Sequence, residues 1–503
     1  MPSLTPSLRL RPMAMACLLT LLAGCAVGPD YHRPTVDMPI AYKEAAGWKQ
    51  AAPSDDQPRS AWWQAFGDEQ LDALMRQVEI SNQNVAQYAA QYAQAQAVVR
   101  QADASFSPTV TATASGTRSG NASGTTSSKT TTSTTSTTST TRSGVSNEVS
   151  ASGSLSWELD LWGKLRRTRE EDVASAQASQ ADLANALLSA QSSLAQDYFS
   201  LRILDERIAL YEKTVAAYTR YASIVENQYT EAQSSRADVA QARNQLESAK
   251  ASMHDLAWQR AQYEHAIAIL LGKAPAAFSL PAVIGGPMQV PVTPVGLAST
   301  LLERRPDIAS SERSMAKANA AIGVAIAAYY PDLTLSASAG FQNSSASKLF
   351  TAPYRFWSLG PSFSQTLFDG GSIKAQVEQA RASYDAAVAS YRQTVLTALG
   401  QVEDYLAKMR IMESEMQAQQ AATDAAIVSA RVTRDQYEAG KINYLDVATT
   451  EATSLSAQQS LWELKGTQLT TSVQLIVALG GGWHADDGEA SSAAHQADKT
   501  PAN

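Results

Sequence analysis

Cysteine is almost absent from this 503-residue chain, which contains only Cys17 and Cys25. Both lie near the N-terminus, after Arg9 and Arg11, in a mostly apolar run that ends in the sequence LAGC. This layout is typical of a secretory signal, which is removed on export. Cys17 would be removed with the signal, so the mature chain has no pair of cysteines for a disulfide. Packing and assembly must therefore stabilise the exported protein.

The LAGC ending resembles a lipobox, in which the cysteine becomes the first mature residue and is lipidated. We therefore expect residues 1–24 to be a lipoprotein signal peptide and Cys25 to be the lipid anchor. The alternative is an ordinary cleavage site with an incidental cysteine. Ala26 is not the aspartate that typically retains lipoproteins in the inner membrane. Residues 25–61 contain several prolines and no periodicity, which predicts an extended, lipid-anchored segment.

Long apolar runs, excess positive charge and clustered histidines are also lacking. After Cys25 no stretch reaches the roughly 18 unbroken apolar residues of a membrane helix, so any membrane crossing would use strands. The formal charge of −8 becomes −10 when the signal's two arginines are removed, which argues against nucleic acid as a partner; ordinary solubility is the plainer meaning. The five histidines have no metal-ligand spacing, and no nucleotide-binding or nucleophile motif occurs. We expect no enzyme, no metal site and no cofactor beyond a covalent lipid.

Glycine and proline are both missing from Lys164 to Leu271, which permits very long helices. Apolar residues recur at alternating spacings of four and three in both halves of the chain, a pattern that predicts coiled-coil seams with knobs-into-holes packing. The first seam is Ile208, Tyr211, Val215, Tyr218, Ala222, Val225 and Tyr229; the second is Tyr384, Val388, Tyr391, Val395, Ala398, Val402, Tyr405, Met409, Met412 and Met416.

The sequence contains an internal duplication. QYEAGKINYLDV at 436–447 repeats QYTEAQSSRADV at 228–239 with an offset of 208 residues, and the same offset carries Gly272 onto Gly480. Each copy has a short polar break between helical runs, which predicts the turn of a helical hairpin. We therefore divide the chain into repeat 1 (62–272), an equatorial linker (273–298), repeat 2 (299–482) and a disordered tail (483–503), and expect one intertwined domain.

Each repeat also carries two stretches of alternating polar and apolar residues, which predict strands with one apolar face. They are Thr109–Ser115, Val149–Leu159, Leu333–Phe341 and Phe356–Phe368. A helical pattern from Trp62 to Val99 precedes the first pair and should stop before Pro108. All residues of Thr125–Thr141 except Lys129 are Ser or Thr, which predicts a mobile loop.

Four strands leave two unpaired sheet edges, which lipid does not tolerate because no water satisfies the backbone there. Other copies of the chain must complete a barrel. Single-chain membrane barrels have at least eight strands, so two, three or four copies remain possible from this argument. A ring of long helices continuing from such a barrel would enclose a conduit.

Several stretches together resemble the TolC-like outer-membrane efflux factors, in the lipoprotein branch that serves resistance-nodulation-division pumps. They are CAVGPDYHRP, WWQAFGDEQLDAL, WELDLWGKLRR, LLERRPDIASSE, AAIGVAIAAYYPDLTLSASAG, LFDGG and LGGGW. The resemblance implies a mainly α chain with membrane β-structure, forming a homotrimer with a 12-stranded barrel in the outer membrane and a 12-helix periplasmic tunnel. It also implies export of drugs or toxic solutes with a periplasmic adaptor and an inner-membrane pump.

In that family the tunnel closes at its periplasmic tip. By matching motifs, Asp446 would be a pore-ring carboxylate and Tyr437 would bond Asp238 to hold the coils closed. Some members have a second ring acid three residues after the first, where this chain has Thr449, and a latch arginine where it has Ile442. The resemblance therefore implies a ring with fewer charges here. The alternative is that Asp446 and Asp238 cap the helices that follow them.

Three other functions have to be weighed. A port for type I protein secretion would share the architecture, and the sequence leaves it open. A periplasmic coiled-coil adaptor would need neither four membrane-type strands nor two hairpins. Met409, Met412 and Met416 could suggest export of a soft metal such as Cu(I), but all three lie on the heptad seam, which favours a core role.

Overall fold

The computed structural model describes residues 26–35, 42–45, 59–120, 145–286, 288–291 and 304–481. The α-helices are α1 (Glu69–Ser81), α2 (Gln83–Ala104), α3 (Lys164–Thr230), α4 (Arg236–Leu270), α5 (Pro306–Ala327), α6 (Ser372–Glu438) and α7 (Tyr444–Ala478). The strands are β1 (Thr109–Gly120), β2 (Val145–Glu158), β3 (Asp332–Asn343) and β4 (Arg355–Ser364). Both the Ser/Thr tract and the tail lie outside the described residues.

The long helices confirm the duplication. The helices α3 and α6 each have 67 residues, and α4 and α7 each have 35. Each of the four helix ends in the first repeat maps onto its counterpart with the offset of 208 found in the sequence, as Lys164 onto Ser372. The lack of Gly and Pro from Lys164 to Leu271 explains the length of α3, because nothing within it breaks the hydrogen-bond ladder.

The prediction of a single helix from Trp62 to Val99 is wrong. A 3₁₀ segment, Arg59–Phe66, comes first, and α1 and α2 then meet at Asn82. The Asn82 side chain accepts from the backbone N–H groups of Asn84 and Val85, both at 3.0 Å, and donates to the carbonyl of Leu270 at 2.7 Å. An Asn side chain that caps the next helix and also binds a distant carbonyl stabilises a break that apolar periodicity does not reveal. The helix α2 ends at Ala104, before Pro108, as expected.

The four strands form one antiparallel sheet in the order β1-β2-β3-β4. The register pairs Thr111 with Ser154, and Ser154 with Ser338. All four expected strands are confirmed, and β1 and β2 extend further toward the connection between them than the sequence indicated. The fourth strand ends at Ser364 rather than Phe368.

The sheet has one hydroxyl-rich face and one apolar face, because successive side chains along a strand point to opposite sides. We define the hydroxyl face by the residues in register with Thr109, Thr111, Thr113, Ser115, Thr117 and Ser119. Cross-strand hydroxyl pairs on it include Thr111–Ser154 at 2.7 Å and Ser338–Ser358 at 2.9 Å. The other face carries exposed Val110, Trp357, Leu359 and Phe363.

The chain divides into two compact units, and each draws on both repeats. The first contains residues 96–174 and 316–386, with the N-terminal segment up to His32, and includes the whole sheet. In it, Arg167 holds the chain just after residue 25: its guanidinium donates to the carbonyls of Val27 and Gly28 and to Asp30 at 2.8 Å. The segment expected to be an extended tether is thus fixed to the protein at this point.

The second unit contains residues 33–95, 175–315 and 387–503 and has an aromatic core. Trp62, Trp63 and Phe66 pack with Tyr198 and Phe199, and the rings of Phe66 and Phe199 are 4.9 Å apart between centroids. Each fully buried large side chain contributes roughly 1.5–3 kcal/mol. Among the described helices, none is both long enough and apolar enough to span a membrane.

The expected seams are buried in part. In α6, Tyr391, Val395, Ala398, Val402, Met409 and Met412 are buried. In α3, Tyr218 and Val225 are buried, but Tyr229 is exposed because it lies in the last turn before the helix ends at Thr230.

Candidate functional site

The two hairpin turns lie in the second unit, and the helices beside them pack around a cluster of tyrosines. The first turn joins α3 to α4, and the second joins α6 to α7. Tyr444 opens α7 and packs against Tyr437 and Tyr221, with ring centroids 6.0 Å and 6.4 Å apart. Tyr218 and Val225 belong to the same buried cluster. Burial raises the pKa of Tyr218 to about 12, so these phenols stay protonated as hydrogen-bond donors at neutral pH.

Hydrogen bonds join the two repeats at this cluster. The Tyr437 hydroxyl donates to Oε1 of Gln228 at 3.0 Å, and the Tyr444 hydroxyl donates to Oε1 of Gln245 at 3.0 Å. The amide of Gln245 in turn donates to the carbonyl of Ala448 at 2.8 Å. Both glutamines belong to repeat 1 and the tyrosines to repeat 2, so the turn region of one hairpin is tied to that of the other.

The expected bond from Tyr437 to Asp238 is replaced by the bond to Gln228. Asp238 instead forms a capping box with Ser235: its carboxylate accepts from the Ser235 N–H at 3.0 Å and hydroxyl at 2.8 Å, and its own N–H donates back to that hydroxyl at 3.1 Å. These bonds, with a smaller contribution from Ser234, lower the pKa of Asp238. Asp238 therefore caps the start of α4, because Ser235 lies three residues before it and reaches the same helix start.

Asp446 lies at the matching position of α7, where the N-cap residue Asn443 makes no side-chain cap bond. The backbone N–H of Asp446 donates to the Asn443 carbonyl at 3.2 Å, and its own carbonyl accepts from the Thr450 hydroxyl at 3.0 Å. The residue is exposed, as is Thr449. Its carboxylate stands at the start of a 35-residue helix, where the helix dipole favours a negative charge.

An ion pair crosses each hairpin at equivalent positions with the charges exchanged. Arg243 of α4 bonds Glu226 of α3 at 2.7 Å, and Arg434 of α6 bonds Glu451 of α7, with its Nε at 3.0 Å. The offset of 208 maps Glu226 onto Arg434 and Arg243 onto Glu451. The hydrogen bond that Arg434 donates to the Glu451 carboxylate raises the pKa of Arg434. Sequence reasoning missed these four residues, although the offset predicts the pairing once the two helices are known to be antiparallel.

Cys25, the expected lipid anchor, lies outside the described residues, but the residues after it are held near the end of β2. The N–H of Val27 donates to the carbonyl of Trp162 at 3.0 Å, and the Asn319 side chain donates to the carbonyl of Pro29 at 3.1 Å. Within the described ranges, no group of His, Cys, Asp or Glu residues could hold a metal ion.

The model of the outer membrane efflux protein family matches residues 74–273 and 297–481. The two matched blocks cover most of the chain and coincide with the two repeats. The chain belongs to the outer membrane efflux protein family. Like other members of this family, it is an outer-membrane efflux channel with the TolC-like fold.

Individual relatives agree with the family. The probable efflux pump outer membrane protein TtgC of Pseudomonas putida is 29% identical over 343 residues, which is 68% of this chain and 71% of TtgC. The cation efflux system protein CusC of Escherichia coli is 28% identical over 468 residues, 93% of this chain and 98% of CusC. The open-state structure of the Neisseria gonorrhoeae MtrE channel is 26% identical, has a TM-score of 0.78, and covers 91% of this efflux protein and 98% of MtrE.

Proposed function

We propose that the protein is the outer-membrane exit duct of a tripartite efflux system and exports drugs or toxic organic solutes. Three copies would form a 12-stranded barrel continued by 12 long helices, with an inner-membrane pump of the resistance-nodulation-division class and a periplasmic adaptor as partners. The observation that carries the proposal is the four-stranded sheet, whose edge strands β1 and β4 each pair with one other strand among the described residues. Neighbouring copies would pair those edges and leave the apolar face against lipid.

The duct would be passive and carry no cofactor beyond a lipid on Cys25. The contacts of residues 27–30 support this anchor. They hold the residues just after Cys25 close to the end of β2, where a strand would leave the membrane. Two anchoring elements, the sheet and the lipid, would then act on the same part of the chain.

The periplasmic gate would lie at the hairpin turns. In this proposal Asp446 contributes one exposed carboxylate per chain to a pore ring, while Tyr437 and Asp238 hold the two turns in place. The two residues make different contacts. Tyr437 binds Gln228 and so connects repeat 2 to repeat 1, and Asp238 caps the start of α4. Opening would have to break the Tyr437 and Tyr444 hydrogen bonds, each worth about 0.5–1.5 kcal/mol.

Export of cations is the second candidate, since CusC matches 93% of the chain. The buried positions of Met409 and Met412 argue against it, because a transported ion would need thioethers that it can reach. Secretion of proteins remains the third candidate, and the same assay separates it from the others.

The test is complementation. The gene would be expressed with an inner-membrane pump and a periplasmic adaptor of this class in a strain that lacks its own outer-membrane efflux channel, and efflux of a fluorescent hydrophobic dye would be measured. The wild type should restore efflux, whereas expression without the adaptor should not. A strain that gains resistance to copper or silver but exports no dye would favour the cation function. Secretion of a protein substrate without either gain would favour the secretion port.

Cys25→Ser tests the anchor in the same strain. The variant should carry no acyl chain by mass spectrometry, and the trimer should persist because the sheet also holds the protein in the membrane. Mature wild-type protein with an unmodified Cys25 would contradict the anchor while leaving the duct unaffected.

A further inference from the structure

We propose that Glu148 sets the charge selectivity of the duct near its outer end. The inference rests on the proposed three-chain barrel, in which the apolar face meets lipid and the hydroxyl face lines the lumen. It concerns the first residues of β2, at the opposite end of that strand from Glu158. No residue of the expected gate takes part in it.

Glu148 belongs to the hydroxyl face. It pairs with Thr117 of β1 and alternates with Ser146 and Ser150 along β2. Hydroxyl pairs lie on both sides of it, Ser119–Ser146 at 2.7 Å and Ser115–Ser150 at 2.8 Å. Because these hydroxyls bind one another across the strands, the lining around Glu148 is polar and uncharged. A fixed charge in such a lining acts on passing ions without competition from its neighbours.

The other two carboxylates on this face share a single lysine. Lys164 lies 3.0 Å from Glu158 and 3.5 Å from Asp332, at the opposite ends of β2 and β3 from Glu148. Glu148 instead accepts a hydrogen bond from the side-chain amide of Gln342 at 2.9 Å, which orients its carboxylate and leaves its charge in place. Among the described strand residues, Glu148 is therefore the one charged side chain of the hydroxyl face at its own end of the sheet.

Arg118 provides a matched residue at the same level of the sheet. It pairs with Asn147, directly beside the Thr117–Glu148 pair, but lies on the apolar face. Three copies of the chain would place three Glu148 carboxylates around the lumen and three Arg118 side chains around the outside. A carboxylate ring of this kind favours cations, and salt weakens the effect beyond the Debye length of about 8 Å at physiological ionic strength.

The experiment measures reversal potentials of purified trimers in planar bilayers under a KCl gradient at low salt. All channels carry Asp446→Asn, so that the carboxylate of the expected gate does not contribute. We expect Glu148→Gln to lower the potassium-to-chloride permeability ratio by about twofold or more. Arg118→Gln should leave the ratio unchanged. Adding Thr117→Glu to Glu148→Gln returns a carboxylate to the same face and should restore the ratio.

Side-specific block gives a second readout. Magnesium added on the outer side should block the reference channel more than the Glu148→Gln channel, and both equally from the periplasmic side. If the Glu148→Gln channel has the same permeability ratio and the same magnesium block as the reference channel, the inference is wrong although the channel is real. The inference is also wrong if Arg118→Gln shifts the ratio instead. If purified trimers form no channel at all, the proposed function itself fails.

Discussion

At the scale of single residues, a buried ion-pair cluster fixes the path of the linker. The carboxylate of Asp205 accepts from Arg202 at 2.7 Å, from Arg260 at 2.6 Å and from the N–H of Val283 at 3.2 Å. Arg260 also donates to the carbonyl of Leu280 at 2.7 Å. The residues after α4 have no periodicity in the sequence, and these bonds to α3 and α4 hold them in place.

Asp205→Ala should destabilise the second unit by about 3–5 kcal/mol, because it leaves two arginines largely buried without their shared partner. Thermal unfolding followed by circular dichroism measures the loss. Glu247→Ala is the control, since it breaks an exposed pair with Lys250 and should cost at most about 1 kcal/mol. Equal midpoints for the two variants would contradict a structural role for the cluster.

The capping box of Asp238 should make the first turn acid-sensitive. The pKa of the Asp238 carboxyl is lowered in the folded protein, chiefly by hydrogen bonds donated by Ser235. The contribution of Asp238 to stability is therefore present above the usual carboxyl pKa of about 4 and is lost as the pH falls through the lower folded value. The protection of the first residues of α4 against hydrogen exchange, relative to the intrinsic exchange rate at each pH, should fall below about pH 4. Ser235→Ala should accelerate that exchange already at neutral pH and reduce its dependence on acid. Identical exchange profiles for the variant and the wild type would count against the box.

At the scale of the elements, the two hairpin turns share a backbone conformation but have different residues at the position where φ is positive. Among the described residues, Ala232 alone has a positive φ without being glycine, at 59°, and its counterpart under the offset is Gly440, at 71°. The bonds around them are equivalent: Gln233 N–H to the Gln228 carbonyl at 2.7 Å, and Lys441 N–H to the Gln436 carbonyl at 2.9 Å. The left-handed conformation costs a residue with a Cβ roughly 1–2 kcal/mol, so the first turn is strained where the second is not.

Ala232→Gly should stabilise the first turn by about 0.5–1 kcal/mol, since relief of strain exceeds the added entropy of the unfolded chain. Gly440→Ala should destabilise the second turn by a similar or larger amount; no atom lies within 4 Å of the added Cβ, so the effect is purely conformational. Amide exchange of Gln233 and Lys441, measured by mass spectrometry, reports each turn. Slower exchange in Gly440→Ala, or faster exchange in Ala232→Gly, would refute the assignment of strain.

At the scale of the whole molecule, duplication supplies two hairpins and four strands, and the Ser/Thr tract is an insertion in one copy. Pro108 to Leu161 spans 53 residues, whereas the matching Pro331 to Asp369 spans 38; the difference of 15 is close to the 17 residues of Thr125–Thr141. The tract lies outside the described residues, between strands whose register is complete from Gly120–Val145 onward.

Deletion of Thr125–Thr141 should leave the assembled protein and its export nearly intact, because shortening a loop changes its closure entropy by less than about 1 kcal/mol. Heat stability of the assembly on native gels and dye efflux together measure the result. A variant with the tract replaced by a Gly/Ser stretch of equal length controls for spacing. Loss of the assembly in the deletion but not in the replacement would show that loop length matters.

The sequence by itself determined the elements and their duplication. The lack of Gly and Pro, the alternating strand pattern and the offset of 208 predicted the long helices, all four strands and both turns within a few residues, because these depend on local periodicity and on chain breakers. Tertiary structure decided what depends on partners distant in the sequence. It broke the first helix at Asn82 through the Leu270 carbonyl and fixed the linker through Asp205. It also placed the Tyr437 hydroxyl within hydrogen-bond distance of Gln228 rather than of Asp238, whose carboxylate accepts from the Ser235 hydroxyl.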